Sequence, residues 1–204
     1  YSTKNAIIGR VYSHITLMLG MRRLEHEYKI MGLAPYSQKK INEKVYSVFS
    51  ECLKLSGHKI LFKRKPKDSF LHFQKKLDGV RFDIIAASLQ KWVEDFILKW
   101  ITNSVKKFKI DRIAISGGVA MNAKAMGKLL EIDEIKKIWV PGAGQDDSLC
   151  IGAAIEKNKL QNLNKGFVKL GSMYFGYNVD NDQEKKIKNL SKTKYKILKY
   201  TAKR

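Results

Sequence analysis

Three stretches of the chain place apolar residues three and four positions apart, the spacing that buries one face of an α-helix. They lie at residues 6–20, 41–55 and 82–108, and the first ends at Gly20, a common helix terminator. The third stretch is the longest, and Asp83 is placed to cap its start. Its apolar stripe predicts a face that packs in the core: Ile85, Leu89, Trp92, Val93, Phe96 and Trp100.

The second half of the chain alternates short apolar runs with helical patterns. Strands are predicted at 112–116 and 136–141, and helices at 119–130 and 147–158. Strand, helix, strand and helix in this order predict a βαβ unit with parallel strand pairing, in which ligands bind beyond the carboxyl ends of the strands. The sequence therefore predicts an α/β fold.

Other segments give weaker signals. Residues 58–63 read as a short strand, and the end of the chain reads as a strand at 167–176, a helix at 182–191 and a strand at 194–200. With the parallel pair, these predict a mixed, partly parallel sheet flanked by helices.

A double glycine marks the first strand-to-helix turn. Gly117 and Gly118 lie in the segment ISGGVAMN, residues 115–122. Without Cβ atoms they let the backbone approach a ligand closely, and the helix behind them presents free N–H groups. This arrangement suits a nucleotide, but a tight turn without a ligand fits the same residues equally well.

The second strand-to-helix turn adds two carboxylates. In VPGAGQDDSLCIGAA, residues 140–154, one of Asp146 and Asp147 can cap the helix, which leaves the other free to face the same crevice. A carboxylate there is a candidate ligand for a metal or a metal-bound phosphate. The alternative is a pair of solvated capping acids. Small residues later in this segment predict that one face of the helix packs closely on its neighbours: Gly152, Ala153 and Ala154.

An apolar segment near the start of the chain is interrupted by glycine and proline. In HEYKIMGLAPYS, residues 26–37, Pro35 is expected to keep Ala34 out of a helical conformation. The segment is predicted to be a loop with apolar walls and with Glu27 and Lys29 at its rim. Such a loop can hold a base or a ribose, or it can simply connect two helices.

Composition and charge restrict the possible functions. The 204 residues are 44% hydrophobic, which excludes a disordered chain, and the formal net charge is +21. The excess is mainly lysine spread along the chain, so solvated faces are favoured over a nucleic-acid surface. No apolar run reaches the length of a membrane span and no signal peptide is visible, so a cytoplasmic protein without a membrane partner is expected.

The cysteines and histidines give no metal-binding pattern. Cys52 and Cys150 are far apart and outside any CxxC spacing, so both are expected to be reduced and buried. The four histidines show no HxH or HxxxH spacing and are expected to be surface or packing residues. The chain begins with Tyr1 and is expected to be a piece of a longer protein.

Three segments together resemble the carbamoyltransferases of the nodulation-factor and antibiotic-tailoring type. They are EYKIMGLAPYS (27–37), IAASLQKWVED (85–95) with ISGGVAMN (115–122), and VPGAGQDDSLCIGAA (140–154), and the resemblance runs over about residues 5–178. Such enzymes are similar to the catalytic subunit of the tRNA threonylcarbamoyl transferase. The resemblance implies the two-lobed fold of actin, sugar kinases and heat-shock chaperones, which is ribonuclease H-like.

The resemblance also implies an activity and its cofactors. A separate domain makes carbamoyl-adenylate from carbamoyl phosphate and ATP, and the actin-like domain transfers the carbamoyl group to an acceptor hydroxyl, often on a sugar. A divalent metal, with iron implied, takes part. By position the resemblance assigns nucleotide-binding roles to Glu27, Lys29, Gly32, Gly117, Gly118 and Asn122, and a metal-ligand role to Asp146.

The chain departs from the family pattern at both motifs. Ser37 replaces the last glycine of the EYKxMGLAPYG loop, and Gln145 and Ser148 fall where the commoner GDAG sequence runs. By the resemblance, residues 1–178 are the second lobe of the actin-like domain, and 179–204 are a tail or the start of a link to a C-terminal domain. The family's metal-binding histidines lie in a first lobe, outside this chain, so catalytic residues and the acceptor remain unassigned. Two other functions stay open, a basic nucleic-acid-binding module and a sugar-kinase-like phosphotransferase.

Overall fold

The computed structural model describes residues 7–37 and 41–161, together with positions 185, 186 and 189. The chain divides into two compact units, 1–161 and 162–204, and the described residues belong almost entirely to the first. Its helices are α1 (Ile8–Met18), α2 (Glu27–Leu33), α3 (Glu43–Ser50), α4 (Ser69–Lys76), α5 (Phe82–Phe108), α6 (Ala123–Leu129) and α7 (Ser148–Gln161). Two short 3₁₀ helices span Ala34–Tyr36 and Gly118–Met121.

Four short strands form two small sheets in the described part of the chain. Strands β1 (Leu53–Ser56) and β2 (Lys59–Phe62) make an antiparallel hairpin, whereas β3 (Arg112–Ala114) and β4 (Lys137–Trp139) pair in parallel. In the parallel pair Ile113 lies opposite Ile138. The predicted α/β class and the parallel βαβ pairing are confirmed, with helices and both kinds of sheet in one unit.

Helix α5 is the centre of the hydrophobic core. Its predicted apolar stripe is confirmed, since Trp92 is 2% exposed and packs with its ring centroid 6.1 Å from Phe49 and 5.7 Å from Phe96. Helices α2, α3 and α6 pack against α5, and α1 packs on α4. Trp100 is partly buried, and its indole N–H donates to the carbonyl of His58.

The predicted helix over 41–55 is shorter than expected. Asn42 caps α3 by accepting from the backbone N–H groups of Lys44 and Val45, but the helix ends at Ser50. The next residues form β1 because pairing with β2 buries Leu53, and the positive φ of Gly57 (+58°) allows the tight turn between the strands. Cross-strand pairing, which is not local, overrides helical periodicity here.

The predicted loop at 26–37 is instead helical. Helix α2 is followed directly by the first 3₁₀ helix, and Ala34 has helical angles (φ −55°, ψ −40°) although Pro35 follows it. Proline is accepted there because it stands at the start of the 3₁₀ helix, where its missing N–H is not needed. Ile30 is completely buried, and packing of α2 on α5 accounts for the ordered conformation.

The start of α5 also differs from the prediction. Arg81 occupies the N-cap position without a side-chain capping hydrogen bond, and Asp83 lies in the first turn, where its carboxylate is 3.0 Å from the guanidinium of Arg81. That hydrogen bond holds the pKa of Asp83 below its usual value. Helix α4 was not expected from the sequence, and it begins with Asp68 accepting from the backbone N–H of Leu71.

Two further expectations do not hold in the described residues. The small-residue face of α7, residues 152–154, is exposed rather than packed, and Cys150 is exposed whereas Cys52 is buried. The strands predicted at 167–176 and 194–200 lie outside the described residues, and of the helix predicted at 182–191 only the three positions named above are described. In the part of the chain that the structure covers, none of the helices combines the length and apolar character needed to cross a membrane.

Candidate functional site

The two strand-to-helix turns meet in space. The backbone N–H of Gly117, after β3, donates to the carbonyl of Gly144, after β4, at 2.8 Å. Gly144 also lies close to the Met121 side chain, since a Cβ added to Gly144 would lie 3.0 Å from the sulfur of Met121. The predicted convergence of the two turns is therefore confirmed as geometry.

The two glycines of the first turn have different backbone requirements. Gly117 has φ +100° and ψ 164°, a conformation that residues with a Cβ rarely adopt, whereas φ of Gly118 lies outside the left-handed range. The chain then makes a 3₁₀ turn to Met121 instead of entering the predicted helix directly. Asn122 starts α6, because its Oδ1 accepts from the backbone N–H of Ala125 at 3.0 Å.

A cavity of about 370 Å³ lies where these turns face α1 and the start of α2. Four of the residues singled out in the sequence line it: Glu27, Gly118, Asn122 and Asp146. They come from three segments that are far apart in the sequence. The rest of the lining is Gly9, Tyr12, Ser13, Leu24, Glu25, Tyr28, Met31, Val119, Met121 and Gln145.

Three of the predicted residues do not line this cavity. Gly117 shapes the turn next to it, and Lys29 and Gly32 lie on α2 outside the lining. The ammonium group of Lys29 is 5.9 Å from the centroid of the Tyr28 ring. A Cβ added to Gly32 would meet nothing within 4 Å, so packing does not require glycine at that position.

The charge of the cavity is opposite in sign to that of the whole chain. Its described lining contains the carboxylates of Glu25, Glu27 and Asp146 and no lysine or arginine, and of the three Glu25 is ion-paired with Arg22 at 3.1 Å. Glu27 also accepts from the backbone N–H of Leu24 at 2.7 Å, which holds its carboxylate in place. Such a lining favours groups that donate hydrogen bonds, such as hydroxyls, and disfavours a bare polyphosphate because like charges repel.

A chain of buried polar side chains reaches the cavity from the core. The Tyr12 hydroxyl donates to Oε1 of Gln90 at 2.8 Å, and the amides of Gln90 and Asn122 donate to each other at 3.0 and 2.9 Å. Nε2 of Gln90 also donates to Glu94 at 2.8 Å. Glu94 is 3% exposed and pairs with Lys128 at 2.5 Å.

Burial and the carboxylate of Glu94 shift the pKa values of two side chains in this network. The hydrogen bond to Glu94 raises the pKa of Lys128, which therefore stays charged and compensates the carboxylate. Burial, with the nearby charge of Glu94, raises the pKa of the Tyr12 phenol, so the hydroxyl stays neutral and able to donate. Nearby, Ser13 is 3% exposed, lines the cavity, and has a hydroxyl without a hydrogen-bond partner among the described residues.

The described residues do not form a complete metal site. Asp146 is exposed, and within the ranges that the structure covers no three histidine, cysteine, aspartate or glutamate side chains come close enough to hold an ion together. One carboxylate alone does not meet the coordination needs of a divalent ion. Asp146 could serve as a ligand only with further ligands from outside the described residues.

Sequence reasoning missed Tyr12, Gln90 and Glu94 as parts of the site. The signal was present for the last two, because they are polar residues four positions apart on a helix whose neighbouring positions are buried. Buried polar side chains need partners, so a polar pair within a core face indicates a network. The partner, Asn122, is 32 residues further along the chain, and that pairing is visible only in the structure.

The chain is similar to known proteins of the family that its motifs resemble. The family model for the carbamoyltransferase N-terminus matches residues 1–155. The chain is 31% identical to an uncharacterized protein of Methanocaldococcus jannaschii, with 93% of this chain and 37% of that protein covered. It is 27% identical to the nodulation protein NolO of Bradyrhizobium diazoefficiens, with 86% of this chain and 33% of NolO covered.

A shorter match links the chain to a third protein. It is 37% identical to the tRNA N6-adenosine threonylcarbamoyltransferase of Thermosipho melanesiensis over 68 residues, which are 33% of this chain and 21% of that enzyme. The chain thus spans about a third of the length of the first relatives it matches. Because the family model covers more than half of the chain, including both turns and the residues lining the cavity, the chain belongs to the carbamoyltransferase family and corresponds to its N-terminal part.

Proposed function

We propose that the chain is the nucleotide-binding part of an O-carbamoyltransferase. The whole enzyme would transfer a carbamoyl group from carbamoyl-adenylate, made from carbamoyl phosphate and ATP, to the hydroxyl of a small molecule or a sugar. Membership of the family and the likeness to a nodulation protein support carbamoyl transfer. The likeness to a tRNA N6-adenosine threonylcarbamoyltransferase supports an actin-like, adenine-nucleotide-binding lobe.

One observation carries the assignment of the site. Glu27, Gly118, Asn122 and Asp146 were singled out in three separate motifs, and they line a single cavity. Its volume of about 370 Å³ is at the small end of the range for ligand sites, which fits a nucleoside better than a complete nucleotide with its acceptor.

Each kind of side chain in the lining has a role in this proposal. Glu27, held by the N–H of Leu24, accepts from ribose hydroxyls. The apolar surfaces of Tyr28, Met31 and Met121 pack against the base. The phosphate lies toward the glycine turn, where the backbone of Gly118 allows close approach.

In this proposal the acceptor site, the adenylate-forming step and the remaining metal ligands belong to parts of the enzyme outside this chain. The family resemblance implies a divalent metal, with iron expected and Asp146 as one ligand. The described residues do not complete that site. The chain by itself is therefore expected to bind nucleosides weakly and not to turn over.

Isothermal titration of the 204-residue chain tests the proposal. We expect adenosine and AMP to bind in the range of hundreds of micromolar to millimolar. ATP without a divalent ion should bind more weakly because its charge opposes the carboxylates of Glu27 and Asp146. No heat with adenosine, AMP or ATP at millimolar concentration would reject nucleotide binding.

A matched pair of variants locates the site. Glu27→Gln keeps an oxygen that can accept from Leu24 but removes the charge, and should weaken adenosine binding several-fold. Glu43→Gln makes the same change in the first turn of α3, outside the cavity lining, and should leave binding unchanged. Equal effects of the two variants would show that the nucleoside binds elsewhere.

The net charge of +21 supports a second candidate, a nucleic-acid-binding module. Binding of tRNA whose affinity falls steeply with salt would favour that function, because phosphate contacts release counterions. Indifference to tRNA, together with nucleoside binding, would favour the enzyme.

A further inference from the structure

The buried polar chain described above reaches the cavity at two side chains, Tyr12 and Asn122. The two ends of this hydrogen-bonded chain each have one fixed hydrogen-bonding role, whereas the amides in its middle can both donate and accept. Glu94 as a carboxylate can only accept hydrogen bonds, and the backbone N–H of Ala125 can only donate. The amides of Gln90 and Asn122 lie between these two fixed ends.

Both ends impose the same orientation on the two amides. Because the Glu94 carboxylate can only accept a hydrogen bond, Nε2 of Gln90 faces it, and Oε1 of Gln90 therefore faces Tyr12 and Asn122. Because the N–H of Ala125 needs an acceptor, Oδ1 of Asn122 faces it, and Nδ2 faces Gln90. Reversing the Gln90 amide would set two acceptors against each other at Glu94, and reversing the Asn122 amide would set two donors against each other at Ala125; either reversal would also mismatch the two amides.

A count of donors and acceptors shows what is left for a ligand. Gln90 uses both N–H groups, on Glu94 and Asn122, and both acceptor positions of its oxygen, from Tyr12 and Asn122. Oδ1 of Asn122 is likewise filled, by Gln90 and Ala125. Among the residues that the structure describes, the Asn122 amide retains one N–H without a partner, and Asn122 lines the cavity.

We propose that Gln90 and Glu94 are positioning residues that fix Asn122 as a hydrogen-bond donor in the cavity. The site would then select a ligand group that accepts at this point, such as a phosphoryl or carbonyl oxygen or a ring nitrogen, and would reject a group that can only donate. The identity of the ligand rests on the proposed function. The orientation of the Asn122 amide does not depend on the proposed function.

The wall that Asn122 forms thus differs from the three carboxylates of the cavity. The carboxylates of Glu25, Glu27 and Asp146 accept, whereas Asn122 donates. A ligand with hydroxyls on one side and an acceptor on the other satisfies both, and a nucleoside monophosphate or acyl-adenylate has this distribution of groups.

Asn122→Asp is the direct test. Aspartate caps a helix as well as asparagine does, and one of its oxygens can still accept from Gln90 and from Ala125. Nδ2 is exchanged for a second acceptor oxygen, which removes the free N–H from the cavity and also replaces the hydrogen bond to Oε1 of Gln90 by a contact between two acceptors. We expect the variant to fold and its affinity for AMP to fall at least tenfold, and retention of affinity within twofold would overturn the proposal.

The double variant Gln90→Glu with Glu94→Gln tests the positioning. It keeps side-chain volume and net charge, but position 90 can then only accept, so Oδ1 of Asn122 loses a donor. Asp95→Asn is the matched control, because Asp95 is also an α5 acid paired with a lysine, Lys91, and bonded to a tyrosine hydroxyl, yet it lies outside the cavity lining. The double variant should lose at least tenfold in AMP affinity and the control less than twofold.

A measurement without ligand separates this inference from the proposed function. In ¹H–¹⁵N spectra, the side-chain NH₂ pair of Asn122 is the pair that disappears in Asn122→Asp. Its shifts and solvent exchange should be the same in wild type and Asp95→Asn and should change in the double variant. An unchanged pair in the double variant contradicts the positioning role. If the pair changes as expected while the wild type binds no AMP, the positioning stands and the nucleotide proposal fails.

Discussion

The two adjacent glycines of the first turn allow a test of the turn on which the site depends. Gly117→Ala and Gly118→Ala add the same methyl group to neighbouring residues, and in both cases nothing lies within 4 Å of the added atom. Steric contact is therefore excluded as a cause of any difference. What differs is the backbone, since only Gly117 has a left-handed φ, +100° with ψ 164°.

The expected magnitude follows from that backbone conformation. Holding a non-glycine residue in such a region costs about 1–3 kcal/mol, and the lower entropy of the unfolded alanine chain offsets about 0.4–1 kcal/mol of it. Gly117→Ala should therefore lower the free energy of unfolding by about 1–2 kcal/mol. For a unit of this size that is a decrease of about 2–8 °C in Tm. Gly118→Ala should be neutral or slightly stabilising, because it gains the entropic term without strain.

Calorimetry or urea unfolding followed by circular dichroism measures the difference directly. The alternative outcome, that Gly117 relaxes to an ordinary φ on substitution, would break its 2.8 Å hydrogen bond to Gly144 and separate the two turns. Nucleoside affinity would then fall together with stability. Equal Tm values for the two variants, with unchanged binding, would refute the claim that this turn requires glycine.

Two other predictions concern the core and the thiols. Trp92→Ala should cost about 3–5 kcal/mol because the ring is buried in the aromatic cluster, whereas Trp139→Ala, 53% exposed, should change unfolding by less than about 0.5 kcal/mol, both measured by urea denaturation. A thiol reagent at pH 8 should label Cys150 in the folded chain and reach Cys52 only after denaturation, because one is exposed and the other buried. Burial raises the pKa of Cys52 from 9.0 to about 11. The contribution of the buried, protonated thiol to the free energy of unfolding is therefore complete below pH 9 and is lost as the pH rises through 11. Equal labelling of the two thiols, or similar costs for the two tryptophans, would contradict the burial on which these predictions depend.

The sequence by itself determined the elements whose signal is local. The stripe on α5 repeats over many turns, so its helical state and its buried face could be predicted, and Trp92 lies where the pattern places it. The order of strands and helices between residues 112 and 158 also sufficed for the parallel pairing of β3 and β4. The two turns were recognised from glycine and aspartate because those residues have specific backbone and capping roles.

Only the tertiary structure decided the features that depend on distant partners. Residues 53–56 are a strand because β2 pairs with them, and residues 27–33 are a helix because Ile30 is buried when α2 packs on α5. Local periodicity carries no information about such packing.

The same limit applies to the site. Motifs identified Glu27, Gly118, Asn122 and Asp146 one at a time, but their meeting in one cavity results from long-range packing. The orientation of Asn122 depends on Gln90, which is 32 residues away in the sequence and 3.0 Å away in space. A hydrogen bond depends on distance and direction, and folding brings together groups whose separation along the chain carries no record of that contact.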